Sequence, residues 1–240
     1  MSEIKVFADA NALIEAAAEL FVSVHNAALA SQGRFHVALS GGTTPKPLYE
    51  QLASEEYSGQ IDWAHTYLFW GDERCVPPDH ADSNYRMTRE SLLNHVPIPQ
   101  DHVYRMRGEV DPEQAAGEYE GVLKALFRGE NTRFDLLLLG MGDDGHTASL
   151  FPHTAALQET QRLVVANFLE AKNIWRITLT TRAINAAANI AFLVSGGAKA
   201  ERLHEVLKGD YQPEHLPSQL IKPDNGTLLW LVDAAAAAKL

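Results

Sequence analysis

Cationic side chains are scarce in this chain. Its 240 residues hold 20 Lys and Arg against 31 Asp and Glu, a formal net charge of −11. So acidic a surface repels nucleic acid and anionic membranes, and neither is an expected partner. An anionic small molecule remains open as a ligand only where the fold concentrates its cations. Cysteine is scarcer still: Cys75 stands alone, which excludes an internal disulfide. No apolar run reaches the length expected of a bilayer span. The first 20 residues carry Glu3, Asp9, Glu15 and Glu19 where a signal peptide has a continuous apolar core. A cytoplasmic protein is the expectation. Also missing are the GxxxxGK[ST] loop of nucleotide hydrolases and the GxSxG elbow of serine hydrolases.

What is present is enough apolar material, 46% of residues, for a sizeable core. Leu13, Ala17, Leu20 and Val24 recur at helical spacing within residues 9–30, with Asp9 or Asn11 available as a cap. Further helices are expected at 45–53, opened by Pro45, at 84–94 behind Ser83, at 112–127 behind Asp111, at 182–188 and at 198–207. Strands are expected at 35–39, 66–70, 134–139, 163–166, 174–179, 190–194 and 228–232. Alternation of strand and helix predicts a three-layer α/β fold around a mainly parallel sheet. The pair at 163–179 leaves little room for a crossover helix and predicts a small additional, antiparallel β element. With no repeat and no linker-like break, one α/β domain over residues 1–240 is the expectation.

Four loops at strand ends carry the chemistry. Ser40-Gly41-Gly42-Thr43-Thr44-Pro45 offers backbone N–H groups, hydroxyls and a helix N-terminus, an arrangement suited to phosphate, although a simple turn into a helix has the same look. Trp70-Gly71-Asp72-Glu73-Arg74 supplies an arginine able to clamp a phosphate or carboxylate. Asp72 and Glu73 either hold that arginine or face the substrate. Gly140-Met141-Gly142-Asp143-Asp144-Gly145-His146 follows the most apolar strand and places carboxylates beside a histidine, the side chain suited to acid-base work near neutral pH. A metal site competes for those residues, but no second histidine stands at i+2 or i+4, so metal-free chemistry is favoured. Ser195-Gly196-Gly197-Ala198-Lys199 places a lysine at a helix start, which the helix dipole disfavours unless an anion meets it there. Loops after parallel strands gather on one sheet edge, so the four should converge on a phosphorylated metabolite.

Together these segments, with Ser83-Asn84-Tyr85 and Thr147-Ala148-Ser149-Leu150-Phe151-Pro152, resemble the 6-phosphogluconolactonase family over residues 40–199. The resemblance implies a Rossmann-like fold shared with sugar-phosphate isomerases and glucosamine-6-phosphate deaminase. It implies hydrolysis of 6-phospho-D-glucono-1,5-lactone to 6-phosphogluconate, the second step of the oxidative pentose phosphate pathway, with neither cofactor nor metal. It further implies that His146 is the catalytic acid-base and that Asp144 shapes the site beside it. Arg74 and Lys199 become the phosphate clamp, helped by Ser40, Gly41, Gly42, Thr43 and Thr44, with Asp72 at the substrate. Asp143 is given no role. The partner implied is a small phosphorylated sugar lactone, and monomer and dimer both stay open. Two rivals remain: a glucosamine-6-phosphate deaminase or isomerase, and a non-catalytic sugar-phosphate sensor. The deaminase carries a glutamate a few residues after its histidine, where this chain has no carboxylate. The sensor would lack the histidine.

Overall fold

The computed structural model describes residues 2–127 and 133–240. Its large sheet consists of β1 (Ser2–Phe7), β2 (Phe35–Leu39), β3 (Thr66–Trp70), β5 (Leu136–Leu139), β8 (Asn189–Val194) and β9 (Thr227–Asp233). These lie in the order β1-β9-β8-β5-β2-β3, and every neighbouring pair is parallel. The four consecutive leucines of β5 are all buried, as a central parallel strand covered on both faces requires.

Side-chain alternation divides the core into two. Phe35, Val37 and Leu39 of β2, Leu136 and Leu138 of β5, and Ala191 and Leu193 of β8 face one side. There they meet α1 (Ala10–Gln32), α2 (Pro45–Leu52) and α3 (Glu55–Ser58). Ala38, Leu137, Leu139, Ile190, Phe192 and Val194 face the other side, packed on α5 (Pro112–Leu126), α6 (Thr181–Asn185) and α7 (Ala200–Lys208). The α1 helix departs from one expectation, since by length and composition it could cross a membrane. Here its Leu13, Ala17, Ala18 and Phe21 are buried against the sheet. Asp9 rather than Asn11 caps it, accepting from the Ala12 N–H at 2.9 Å.

Several elements differ from the sequence expectation, among them the short helix α3, which was not expected. The edge strand β1 was not anticipated: its residues are mostly exposed, so it carries no strong apolar pattern. The 84–94 helix is α4 (Asn84–Thr88), which widens into a π-helical stretch, Arg89–Leu93. Asp72–Arg74 is not loop but a short strand, β4. It pairs antiparallel with β7 (Ile174–Leu179), which pairs in turn with β6 (Val164–Leu169), giving the small additional sheet. Gly71 joins the two sheets: its N–H donates to Leu39 O of β2 at 2.9 Å, and its carbonyl accepts from Leu179 N–H of β7 at 2.8 Å.

Candidate active site

After β2 the chain moves toward one edge of the large sheet, and after β5 toward the other. Between the carboxyl ends of these two strands a crevice opens, where ligands bind in sheets of this kind. It holds a cleft of about 310 Å³ whose lining draws on all four loops: residues 40–45, Asp72 with Arg74, Gly140 to Gly142 with His146, and Ser195 with Lys199. The convergence expected from the sequence is therefore found.

The His146 loop is held by glycines. Gly142 N–H donates to His146 O at 2.8 Å, and Gly145, at φ 79°, accepts the left-handed turn between them. A Cβ on Gly142 would stand 2.0 Å from His146 Nδ1, so only glycine lets the imidazole lie here. The Asp144 carboxylate accepts from the His146 backbone N–H at 3.1 Å and is also hydrogen-bonded to Nδ1 of the ring. Burial alone would raise the Asp144 carboxyl, but the bond from His146 and its charge outweigh that and hold it down at about 2. A carboxylate on Nδ1 fixes that nitrogen as the N–H, so Nε2 is the free base. Among the described residues Nε2 has no partner. Phe151 stacks on the ring at 3.9 Å between centroids and 23° between planes. Asp144 itself is not part of the cleft lining; its carboxylate is bonded to His146.

Asp72 and Glu73 part company. Glu73 is 2% exposed and accepts from the backbone N–H groups of Arg74 (2.7 Å), Asn84 (2.8 Å) and Tyr85 (2.8 Å) and from the Ser83 hydroxyl (3.1 Å). It anchors the start of α4 and does not face the cleft; burial pushes its carboxyl up, against the pull of those donors. Asp72 lines the cleft, accepting from the Ser149 hydroxyl at 2.6 Å. Neither carboxylate holds the Arg74 guanidinium, which donates from Nη1 to Asp82 O at 2.7 Å while its buried Nε has no acceptor.

The Lys199 ammonium donates to Met141 O at 2.9 Å and to Asp143 Oδ1 at 2.5 Å. Asp143 thus has a task that the sequence reading withheld from it: it ties the lysine to the histidine loop. Asp233, at the end of β9, gathers the preceding turn by accepting from the Ser195 hydroxyl at 2.5 Å and the Gly196 N–H at 3.0 Å.

Sequence reasoning missed Arg176 and Lys172, and gave Asn84, Ser149 and Phe151 only as parts of the resembling segments with no role in the site; all five line the cleft. Arg176 on β7 stands directly across from Arg74 on β4. Burial, and then the neighbouring Arg74 charge, lower its guanidinium below the ordinary value. Like charges opposite one another on paired strands repel, and an anion between them would relieve that. Asn84 lies so close to Gly41 that a Cβ there would meet its Oδ1 at 1.8 Å. Among the described residues, no three His, Cys, Asp or Glu side chains cluster as a metal site.

The chain has counterparts among known proteins. A 6-phosphogluconolactonase of Nostoc sp. (strain PCC 7120) is 43% identical over 99% of this chain and 98% of its own. The crystal structure of 6-phosphogluconolactonase from Thermotoga maritima superposes with a TM-score of 0.84 at 31% identity, over 97% of this chain and 100% of that one. That of 6-phosphogluconolactonase from Trypanosoma cruzi gives 0.87 at 29% identity, over 100% and 97%. Residues 8–230 match the family model described as glucosamine-6-phosphate isomerases/6-phosphogluconolactonase. With nearly the whole chain covered, the chain belongs to the glucosamine-6-phosphate isomerase/6-phosphogluconolactonase family.

Proposed function

We propose that this protein hydrolyses 6-phospho-D-glucono-1,5-lactone to 6-phosphogluconate by general acid-base catalysis at His146. The observation that carries this reading is His146, paired with Asp144 and free at Nε2, in a cleft that also gathers four cationic side chains. Nε2 takes a proton from water as its oxygen bonds to C1 of the lactone, and the carbonyl electrons move onto the exocyclic oxygen. When the tetrahedral species collapses, the C1–ring oxygen bond breaks, and the imidazolium returns its proton to that oxygen, which becomes the C5 hydroxyl. The new carboxylic acid loses its proton to solvent. Backbone N–H groups of a glycine turn and nearby cations stabilise the oxyanion. No serine nucleophile and no metal are required.

Arg74, Arg176 and Lys199, with the 40–44 loop, hold the phosphate, and that remote binding energy orients C1 at the histidine. Asp144 acts through His146. The residues after the histidine supply Phe151 against its ring and no carboxylate for a deaminase proton transfer. An acidic surface and a lone cysteine fit a cytoplasmic place of work.

The test generates the lactone in situ from glucose 6-phosphate and follows its hydrolysis against the spontaneous rate. Wild type should accelerate it, and His146→Ala should lose at least about 100-fold. Acceleration that survives the mutation would remove His146 from the mechanism. If the wild type is inert on the lactone but releases ammonia from glucosamine 6-phosphate, the deaminase rival is right.

A further inference from the structure

Four cations line the cleft: Arg74, Arg176, Lys199 and Lys172. Three have protein acceptors. Arg74 donates to Asp82 O, Arg176 to Trp175 O and Lys199 to Met141 O and Asp143. Lys172 has none among the described residues. It sits on the turn Glu170–Lys172 between β6 and β7, closed by Asn173 in the left-handed conformation at φ 51°. Its ammonium lies 5.4 Å from the centroid of the Phe151 ring, the same ring that stacks on His146. One aromatic side chain therefore connects the unpartnered ammonium with the imidazole. Lys172 and Phe151 also line a neighbouring groove together with Asp144, Glu170 and Glu113, but Asp144 is bonded to His146 and Glu113 to Arg162, and none of the three forms an ion pair with this lysine.

Charge is created at only one end of the proposed reaction. The phosphate carries its charge throughout. C1 is neutral in the lactone, bears an oxyanion in the tetrahedral species and ends as a carboxylate. Cations already held by protein acceptors suit a permanent anion, and an unpaired ammonium at the histidine end suits an anion that appears during turnover. We infer that Lys172 is the carboxylate-end cation of this site: it neutralises the C1 oxyanion as the lactone opens and then holds the product carboxylate. This rests on the lactonase reading above, since it presumes that C1 lies at His146. Phe151 has a second use in this arrangement, because its ring face favours the ammonium where the carboxylate will form.

The test compares two inhibitors that differ only at C1. One is 6-phosphogluconate, with a carboxylate. The other is glucitol 6-phosphate, with a hydroxymethyl group. Each is measured as a competitive inhibitor of lactone hydrolysis and by calorimetry, on wild type, Lys172→Met and Lys172→Arg. In Lys172→Met, 6-phosphogluconate should bind about tenfold more weakly while glucitol 6-phosphate stays within about twofold, and kcat should fall more than KM rises. Lys172→Arg should recover most of the discrimination. Equal weakening of both ligands would place Lys172 at the phosphate, and no weakening of either would leave it a solvated lysine; both results overturn the inference. Calorimetry gives the comparison even for a protein that does not turn over lactone, so failure of the lactonase reading would show separately, as absence of wild-type acceleration.

Discussion

At the residue scale, the division of labour between His146 and Asp144 is the most testable feature. Asp144 is half-exposed, and its carboxyl is nonetheless held at about 2 by the histidine bond after burial has pushed the other way. It is therefore charged at every pH at which the protein would be assayed. In Asp144→Asn the side chain no longer dictates that Nδ1 carries the proton, and the imidazolium loses its counter-charge. We expect kcat to fall about 100-fold with KM little changed. The sign of the stability effect follows from the folded carboxyl lying below its unfolded value. Its contribution is present above the unfolded value and disappears as pH falls toward 2. The stability gap between wild type and Asp144→Asn should therefore shrink on acidification from pH 5. A gap that widened, or an unchanged kcat, would mean that the short contact is incidental. His146 and Asp144 were legible in the sequence because they share one tight turn. Phe151 sits only five residues past the histidine, yet its stacking was not legible: it depends on Ala148 taking φ 47°, a conformation that no residue type announces.

At the scale of elements, the glycine turns set how closely side chains approach the substrate, and Gly142 is the sharpest case. A methyl group there would stand 2.0 Å from His146 Nδ1 and 2.9 Å from Asp144 Oδ1, so Gly142→Ala must displace the imidazole or break the pair. The φ of Gly142 is not positive, so the backbone itself tolerates alanine. The expected result is a loss of at least about 100-fold in kcat with a melting temperature close to wild type, since a misplacement of about 1 Å is enough for that cost. Thermal melts and steady-state kinetics on one preparation decide it, and a variant that lost stability and activity together would speak for a folding role. Strands β2, β3, β5, β8 and β9 could be read from local apolar runs because each is buried on both faces. The three residues of β4 could not: Asp72, Glu73 and Arg74 form a strand only because β7, about a hundred positions later, pairs with them. Arg176 shares that blind spot. Its significance is its register opposite Arg74, which no local pattern encodes.

At the scale of the whole molecule, the cleft lies where two sheets meet. The large sheet contributes the turns after β2, β5 and β8, while Arg74, Arg176 and Lys172 come from the small sheet and its turn. Gly71 is the backbone hinge point between them, hydrogen-bonded to β2 on one side and β7 on the other. An anion gripped from both sides would act as a further tie across that junction. Ligand at about a hundredfold excess over its dissociation constant adds about 2.7 kcal/mol to folding stability. For a chain of this size that is a rise of roughly 5–10 °C in melting temperature. The same binding should slow amide exchange in β6 and β7 as well as in the turns of the large sheet, because both sheets share the ligand. Melting and exchange measured with 6-phosphogluconate test this directly. Protection confined to the large sheet would mean that the phosphate is held by the glycine turns and Lys199 alone, with the paired arginines of β4 and β7 outside the binding event. Protection reaching β7 would make their mutual repulsion in the free protein part of the energy that anion binding releases.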